Sequence, residues 1–278
     1  DLGDALVAGA RAAGDATWPP PAGMPAAYPL TGFAHGAAGC AWALLELWRV
    51  SDVSRYRAAA AAAFAYERQW FDAQAGNWPD FRLLPAGSQP TDGPAGAGEQ
   101  DTAAALPQGA GGAAAAADGP PMRDQARVRP GWPAALAWCH GAPGGALARL
   151  RAWALTGDPH HRQEAVAALH TTARALAAQR TAATANYSLC HGQAGNSDVL
   201  LVAADVLGEA AWRRLAAEAG HAALDAVVAA QRPWPCGVPG GGEAPGLLLG
   251  LAGIGYWLVR LATPATIPSM LLPSVAAP

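Results

Sequence analysis

A chain of 278 residues, 52% apolar and 14% charged, can bury one substantial core or two smaller ones, which excludes disorder throughout. Its net charge of −3 and scattered basic residues, with no RNA-binding or helix-turn-helix signature, argue against a nucleic acid as partner. No apolar run reaches bilayer length and the opening, Asp1 to Asp4, lacks the positive start of a secretory signal, so no membrane is expected and the expected location is cytoplasmic.

In chain order, residues 2–13 read as a helix without an evident partner, and the absent initiator Met suggests a piece cut from a longer polypeptide. A repeat follows, and self-similarity constrains architecture more firmly than local propensity does. Gly-Phe-Ala-His-Gly-Ala-Ala-Gly at 32–39 is echoed by His-Gly-Ala-Pro-Gly at 140–144, Cys-His-Gly-Gln-Ala-Gly at 190–195 and Gly-Leu-Ala-Gly-Ile-Gly at 250–255. Each copy leads into a largely apolar segment, at 41–47, 146–155, 199–207 and 256–262, that suits a helix enclosed on nearly every side. Between them, 55–71, 160–178 and 212–231 mix Arg, Glu or His with Ala-rich stripes and read as amphipathic outer helices. Asp158 before Pro159 reads as an N-cap with Pro in the first turn. Strand signals are nearly absent, so the predicted fold is all-α, with inner and outer helix layers. Residues 83–129 break the pattern with Ala, Gly, Pro and Gln, too few large apolar groups to offset ordering entropy, and read as a flexible insertion in a single domain over 1–278.

A glycine-bearing turn ahead of each inner helix lets the backbone bend sharply, and helix N-termini offer free N–H groups and a positive dipole end. If the repeats close into a ring, these turns gather on one face. Two of them carry the chain's chemistry. Catalytic zinc takes three N or S ligands and keeps one position open, and soft thiolates favour it over magnesium or calcium. Cys139, in Trp-Cys-His-Gly, with Cys190 and His191, adjacent in Leu-Cys-His-Gly, supply such a set for one zinc ion. The alternative is two buried cysteines and helix-capping histidines with no ligand role, since a paired Cys-x-x-Cys signature is missing. His140 could replace His191, or sit just outside the ligands and against substrate.

His35 holds nearly the same place in the first copy without a cysteine beside it, which suits a general acid or base as well as it suits a histidine that braces a turn. Cys40 falls in an apolar helix and reads as core, Cys236 lies in a Pro/Gly-rich loop, and His160, His161, His170 and His221 read as surface or packing residues. Tyr66-Glu67-Arg68 with Gly76-Asn77-Trp78-Pro79-Asp80 reads as loop architecture, with Asp80 an additional candidate for the site.

Taken in this order, Gly-Phe-Ala-His-Gly around His35, Tyr-Glu-Arg and Gly-Asn-Trp-Pro-Asp at 66–80, Trp-Cys-His-Gly-Ala-Pro-Gly at 138–144, Ser-Leu-Cys-His-Gly at 188–192, and Cys-Gly-Val-Pro with Pro-Gly-Leu-Leu-Leu-Gly-Leu-Ala-Gly-Ile-Gly-Tyr at 236–256 resemble the lanthionine cyclase (LanC-like) domain. Within it, they resemble the C-terminal cyclase region of class II lanthipeptide synthetases of the LanM type. The resemblance implies an α/α toroid and zinc held by Cys139, Cys190 and His191. It implies a precursor-peptide partner whose cysteine thiol, activated by zinc, adds to dehydroalanine or dehydrobutyrine to close a thioether ring. The enolate formed by that addition needs a proton, the role expected of His35. Four repeats are fewer than the family's usual seven, so the toroid is expected to be incomplete at the N-terminus. An upstream aspartate and the N-terminal dehydratase region of the same polypeptide would then lie outside this chain. The alternative from another class is a non-catalytic zinc-containing module that binds a peptide or a small thiol such as glutathione.

Overall fold

The computed structural model describes residues 2–12, 17–20, 26, 28–83, 132–180 and 186–273; all of the expected insertion at 83–129 except Leu83 lies outside them. The described elements are α1 (Leu2–Ala12), α2 (Ala37–Ser51), α3 (Ser54–Arg68), α4 (Ala142–Thr156), α5 (Pro159–Gln179), α6 (Gln193–Leu207), α7 (Ala210–Ala223), a π-helical turn (Leu224–Ala229) and α8 (Leu251–Ala262). No strand occurs among the described residues, only the isolated bridges Asp72 to Asn77 and Leu136 to Gly141. The fold is all-α, as predicted.

Three helical hairpins, α2/α3, α4/α5 and α6/α7, build the body. Their inner helices are each 15 residues long, so neighbouring repeats match end to end. Each inner helix stops at a residue in the left-handed region, Asp52 (φ 54°), Gly157 (φ 73°) or Gly208 (φ 71°), and the outer helix starts within two residues. Such a C-terminal reversal is what permits so short a link. At the second hairpin the Asp158 side chain accepts the His160 N–H at 2.9 Å, capping α5 as its sequence predicts. Inner helices α2, α4, α6 and α8 touch in succession, whereas α8 and α2 do not touch among the described residues. They form an arc, with the outer helices behind it.

Position along the arc decides how each inner helix is covered. Ten of the 15 residues of α4 and 12 of the 15 of α6 are buried, the wide enclosure expected from their composition. The expectation fails for α8, which buries Gly253, Ile254, Trp257 and Arg260 and leaves Leu251 and Val259 in solvent, with an inner neighbour on one side only among the described residues. Cys40, expected in the core, is half-buried on α2. The expectation that the opening helix lacks a partner is also corrected. α1 lies on α2 and α3, buries Val7 and Ala10, and sets Gly3 under Tyr56 so closely that a Cβ would meet the ring at 2.8 Å. Beyond α8 the chain doubles back. Arg260 bonds Asp198 and the Ile267 carbonyl, Ser269 bonds Asp198, and the Leu271 carbonyl accepts the indole N–H of Trp138 at 3.0 Å.

No helix among the described residues is long and apolar enough to cross a membrane.

Candidate functional site

The site is built by the Gly-x-x-Gly pairs. Gly36, Gly141, Gly192 and Gly250 are the N-caps of the four inner helices. The second glycine of each pair, at 39, 144, 195 and 253, sits against the carbonyl of the residue six before it, Phe33, Trp138, Leu189 and Leu247, where any Cβ would collide. The glycines therefore allow the incoming chain to fold back on the first helical turn.

This fold-back aligns equivalent positions of successive repeats. Two residues before the N-cap glycines stand Ala34, Cys139, Cys190 and Leu248. Their backbones are bonded in sequence around the arc: Ala34 N–H to the Cys139 carbonyl (3.2 Å), Cys139 N–H to the Cys190 carbonyl (3.4 Å), and Cys190 N–H to the Leu248 carbonyl (2.9 Å). One residue further on are His35, His140 and His191. The candidate residues thus share one face because they share one register.

The Cys139 and Cys190 side chains are close enough for each to be the largest influence on the other's ionisation. The neighbouring Cys190 thiol, then the Arg82 charge, lowers the Cys139 thiol below its ordinary value, while Cys139 and burial raise Cys190. His35 and His140 stack with ring centroids 5.1 Å apart and planes 15° from parallel. His35 is exposed as a residue, but one face of its ring is covered by His140. Partial burial and then Arg82 lower it, against the pull of Asp80. His140 is buried, with an Nε2 that has no partner among the described residues. Burial and then Arg82 push it down to about 4, so it is neutral at pH 7.

The Asp80 carboxylate acts electrostatically on both His35 and His140. Arg82 grips it with Nε at 2.9 Å and Nη2 at 2.7 Å. Burial raises the Asp80 carboxyl, but the hydrogen bonds from Arg82 outweigh burial and hold it below its ordinary value. Arg82, absent from the candidates read in the sequence, is thus the fixed positive charge of the site, felt by both thiols and both histidines. Its only signal was its place two residues after Asp80, where a repeated pattern gives way to low complexity.

His191 is placed differently. Its Nε2 lies by Gly237, where a Cβ would stand 2.8 Å away, and its backbone N–H bonds the Ser188 hydroxyl at 3.3 Å. Among the described residues no three His, Cys, Asp or Glu side chains are already gathered as a metal-binding group. The Cys139 and Cys190 thiols, with the His191 imidazole on the residue after Cys190, are the N and S donor types that zinc takes. Cys236 is buried in the loop beside His191, with its sulfur 4.0 Å from the Ala244 carbonyl.

The chain matches the family description "Lanthionine synthetase C-like protein" over residues 2–272. No curated protein matches it. The match spans every described helix and all of the candidate residues, so the chain belongs to the lanthionine synthetase C-like family.

Proposed function

We propose that this chain is a zinc-dependent lanthipeptide cyclase that closes lanthionine or methyllanthionine rings by adding a peptide cysteine thiol to dehydroalanine or dehydrobutyrine. Family membership supports a lanthionine-synthetase-like function. The observation that carries the finer reading is that Cys139 and Cys190, joined by a backbone hydrogen bond, lie on the same face as the His35–His140 stack and the Asp80–Arg82 pair.

Cys139, Cys190 and His191 would hold one zinc ion. When bound, zinc lowers the pKa of a fourth ligand and so supplies a thiolate from the substrate near neutral pH. The remaining steps fall to the chain's own side chains. Arg82, locked to Asp80, presents a preorganised positive charge to the carbonyl oxygen on which negative charge develops as the C–S bond forms. His35 takes up the proton that the substrate thiol releases and delivers it to the α-carbon of the resulting enolate, so the addition is balanced, and its exposure on the face of the turns gives a peptide access to it. His140 stays neutral and supports the His35 ring by stacking. The partner is a dehydrated precursor peptide, and the chain takes the place of the C-terminal cyclase region of a LanM-type synthetase.

Incubating the full chain with zinc and a predehydrated cysteine peptide tests this. Ring closure leaves the mass unchanged and consumes the free thiol, so alkylation followed by mass spectrometry reports it. Thiol loss at the uncatalysed rate would refute the reading.

A further inference from the structure

One side chain outside the ring of candidate residues bonds to both ends of the turn that carries His35. Glu67, near the end of α3, is completely buried (0% side-chain exposure). Its Oε1 accepts the Gly32 N–H at 2.9 Å and the Ala38 N–H at 2.8 Å. Those two amides flank His35, one ahead of the turn and one in the first turn of α2. The same residue holds the neighbouring loop, because its backbone carbonyl accepts the Trp78 indole N–H at 3.1 Å, two residues before Asp80. Thr31 joins the two segments through a 2.8 Å bond to the Pro79 carbonyl.

The other carboxylate oxygen of Glu67 is fixed in turn. Oε2 bonds Arg149 Nη1 at 2.6 Å, and Arg149 is itself fully buried in α4. Its guanidinium lies 4.1 Å from the Trp78 ring centroid and 5.1 Å from that of Phe64, and its Nε bonds Glu164 at 2.9 Å. A charged carboxylate directed at two backbone N–H groups makes strong, directional bonds. It leaves the turn little freedom to rotate.

We infer that Glu67 is a positioning residue: one buried carboxylate oxygen clamps both flanks of the His35 turn and so sets the distance from the imidazole to the reacting carbon. This rests on the cyclase reading for its effect on turnover, but not for its effect on the turn. A displacement on the order of 1 Å can cost about 10²-fold in rate.

Removing Glu67 alone would leave the buried Arg149 with one carboxylate partner, Glu164, in place of two and endanger folding. The test therefore uses two charge-neutral pairs, Glu67→Gln/Arg149→Met and Glu67→Met/Arg149→Met. Glu164 keeps Arg68 as a partner in both. They differ in a single respect, the acceptor offered to Gly32 and Ala38. The Gln pair is expected to retain kcat within about threefold, and the Met pair to lose about tenfold or more, with KM and zinc content little changed. The Met pair should also shift the NMR signal of the His35 ring off its stacked position on His140. Equal kcat and equal His35 signals in the two pairs would overturn the inference. Should the Met pair fail to fold, amide exchange in the unaltered protein decides: Gly32 and Ala38 protected as a pair supports the clamp, and exchange at free-amide rates refutes it. If the unaltered protein closes no rings, the cyclase reading fails, while the His35 signal and amide protection still decide the role of Glu67.

Discussion

Cys139 donates its backbone N–H to the carbonyl of Cys190, 51 positions later, at 3.4 Å, and the two side chains interact beside that link. The thiol pair is therefore an outcome of repeat register. Two inner helices start at equivalent glycines, and the residues two positions earlier meet.

Replacing either cysteine should abolish metal retention. Cys139→Ala or Cys190→Ala is expected to reduce zinc from about one ion per chain to near none, because one thiolate and one imidazole form a weak site. Elemental analysis after dialysis measures it. Full zinc occupancy in both variants would remove the thiol pair from the site.

His35→Asn is expected to leave zinc content unchanged and to slow ring closure by about 10²-fold or more, in the range of general acid catalysis. The ring is exposed and stacked, and forms no part of the thiol pair. Loss of zinc in this variant would make His35 a ligand.

Two glycines in similar motifs should respond with opposite signs. Gly195→Ala forces a Cβ into the Leu189 carbonyl and is expected to destabilise by about 1–3 kcal/mol, displacing the Cys190 turn. Gly255, in the middle of α8, has nothing within 4 Å of where a Cβ would be, so Gly255→Ala should stabilise by about 0.5–1 kcal/mol. Denaturant melts compare them. Equal effects would show that the fold-back contact does not govern the turn.

His161 gives the fold an acid-sensitive component. Burial first, then the Arg149 and Arg68 charges, push its pKa down to about 4 from an ordinary 6.5. Its folded pKa lies below the unfolded one, so its contribution is fully present above about pH 6.5 and is lost as pH falls toward 4. At most about 3 kcal/mol is involved. His161→Leu should flatten the stability profile over that interval, by denaturant melts at stepped pH. An unchanged slope would place the acid sensitivity elsewhere.

The repeat was legible because its cause is local: a glycine at the N-cap and another three residues on allow the fold-back, and both are visible in the chain. Asp158 as N-cap was legible for the same reason. From that repeat the common face of Cys139, Cys190, His140 and His35 followed. Contacts made across repeats were not visible. Arg149 is one of two arginines in an otherwise apolar segment, and nothing local marks it as the one that joins Glu67, 82 residues away, to Glu164. Arg82 sits at the edge of a low-complexity stretch and gains meaning only when its loop is laid over the thiols. The Gly237 loop that lies against the His191 imidazole, some 46 residues on, was likewise not visible. The exposed side of α8 goes with an inner neighbour on one flank only among the described residues, which no periodicity records.

The proposed chemistry stands or falls on whether the Cys139–Cys190 pair holds a zinc ion at which a peptide thiol is activated. X-ray absorption at the zinc edge, on the full chain with and without a cysteine-containing dehydrated peptide, decides this by counting sulfur ligands. Two are expected in the free protein and a third when the peptide is added. A sulfur count that stays at two with saturating peptide, or a site without sulfur, would contradict activation of the thiol at that zinc.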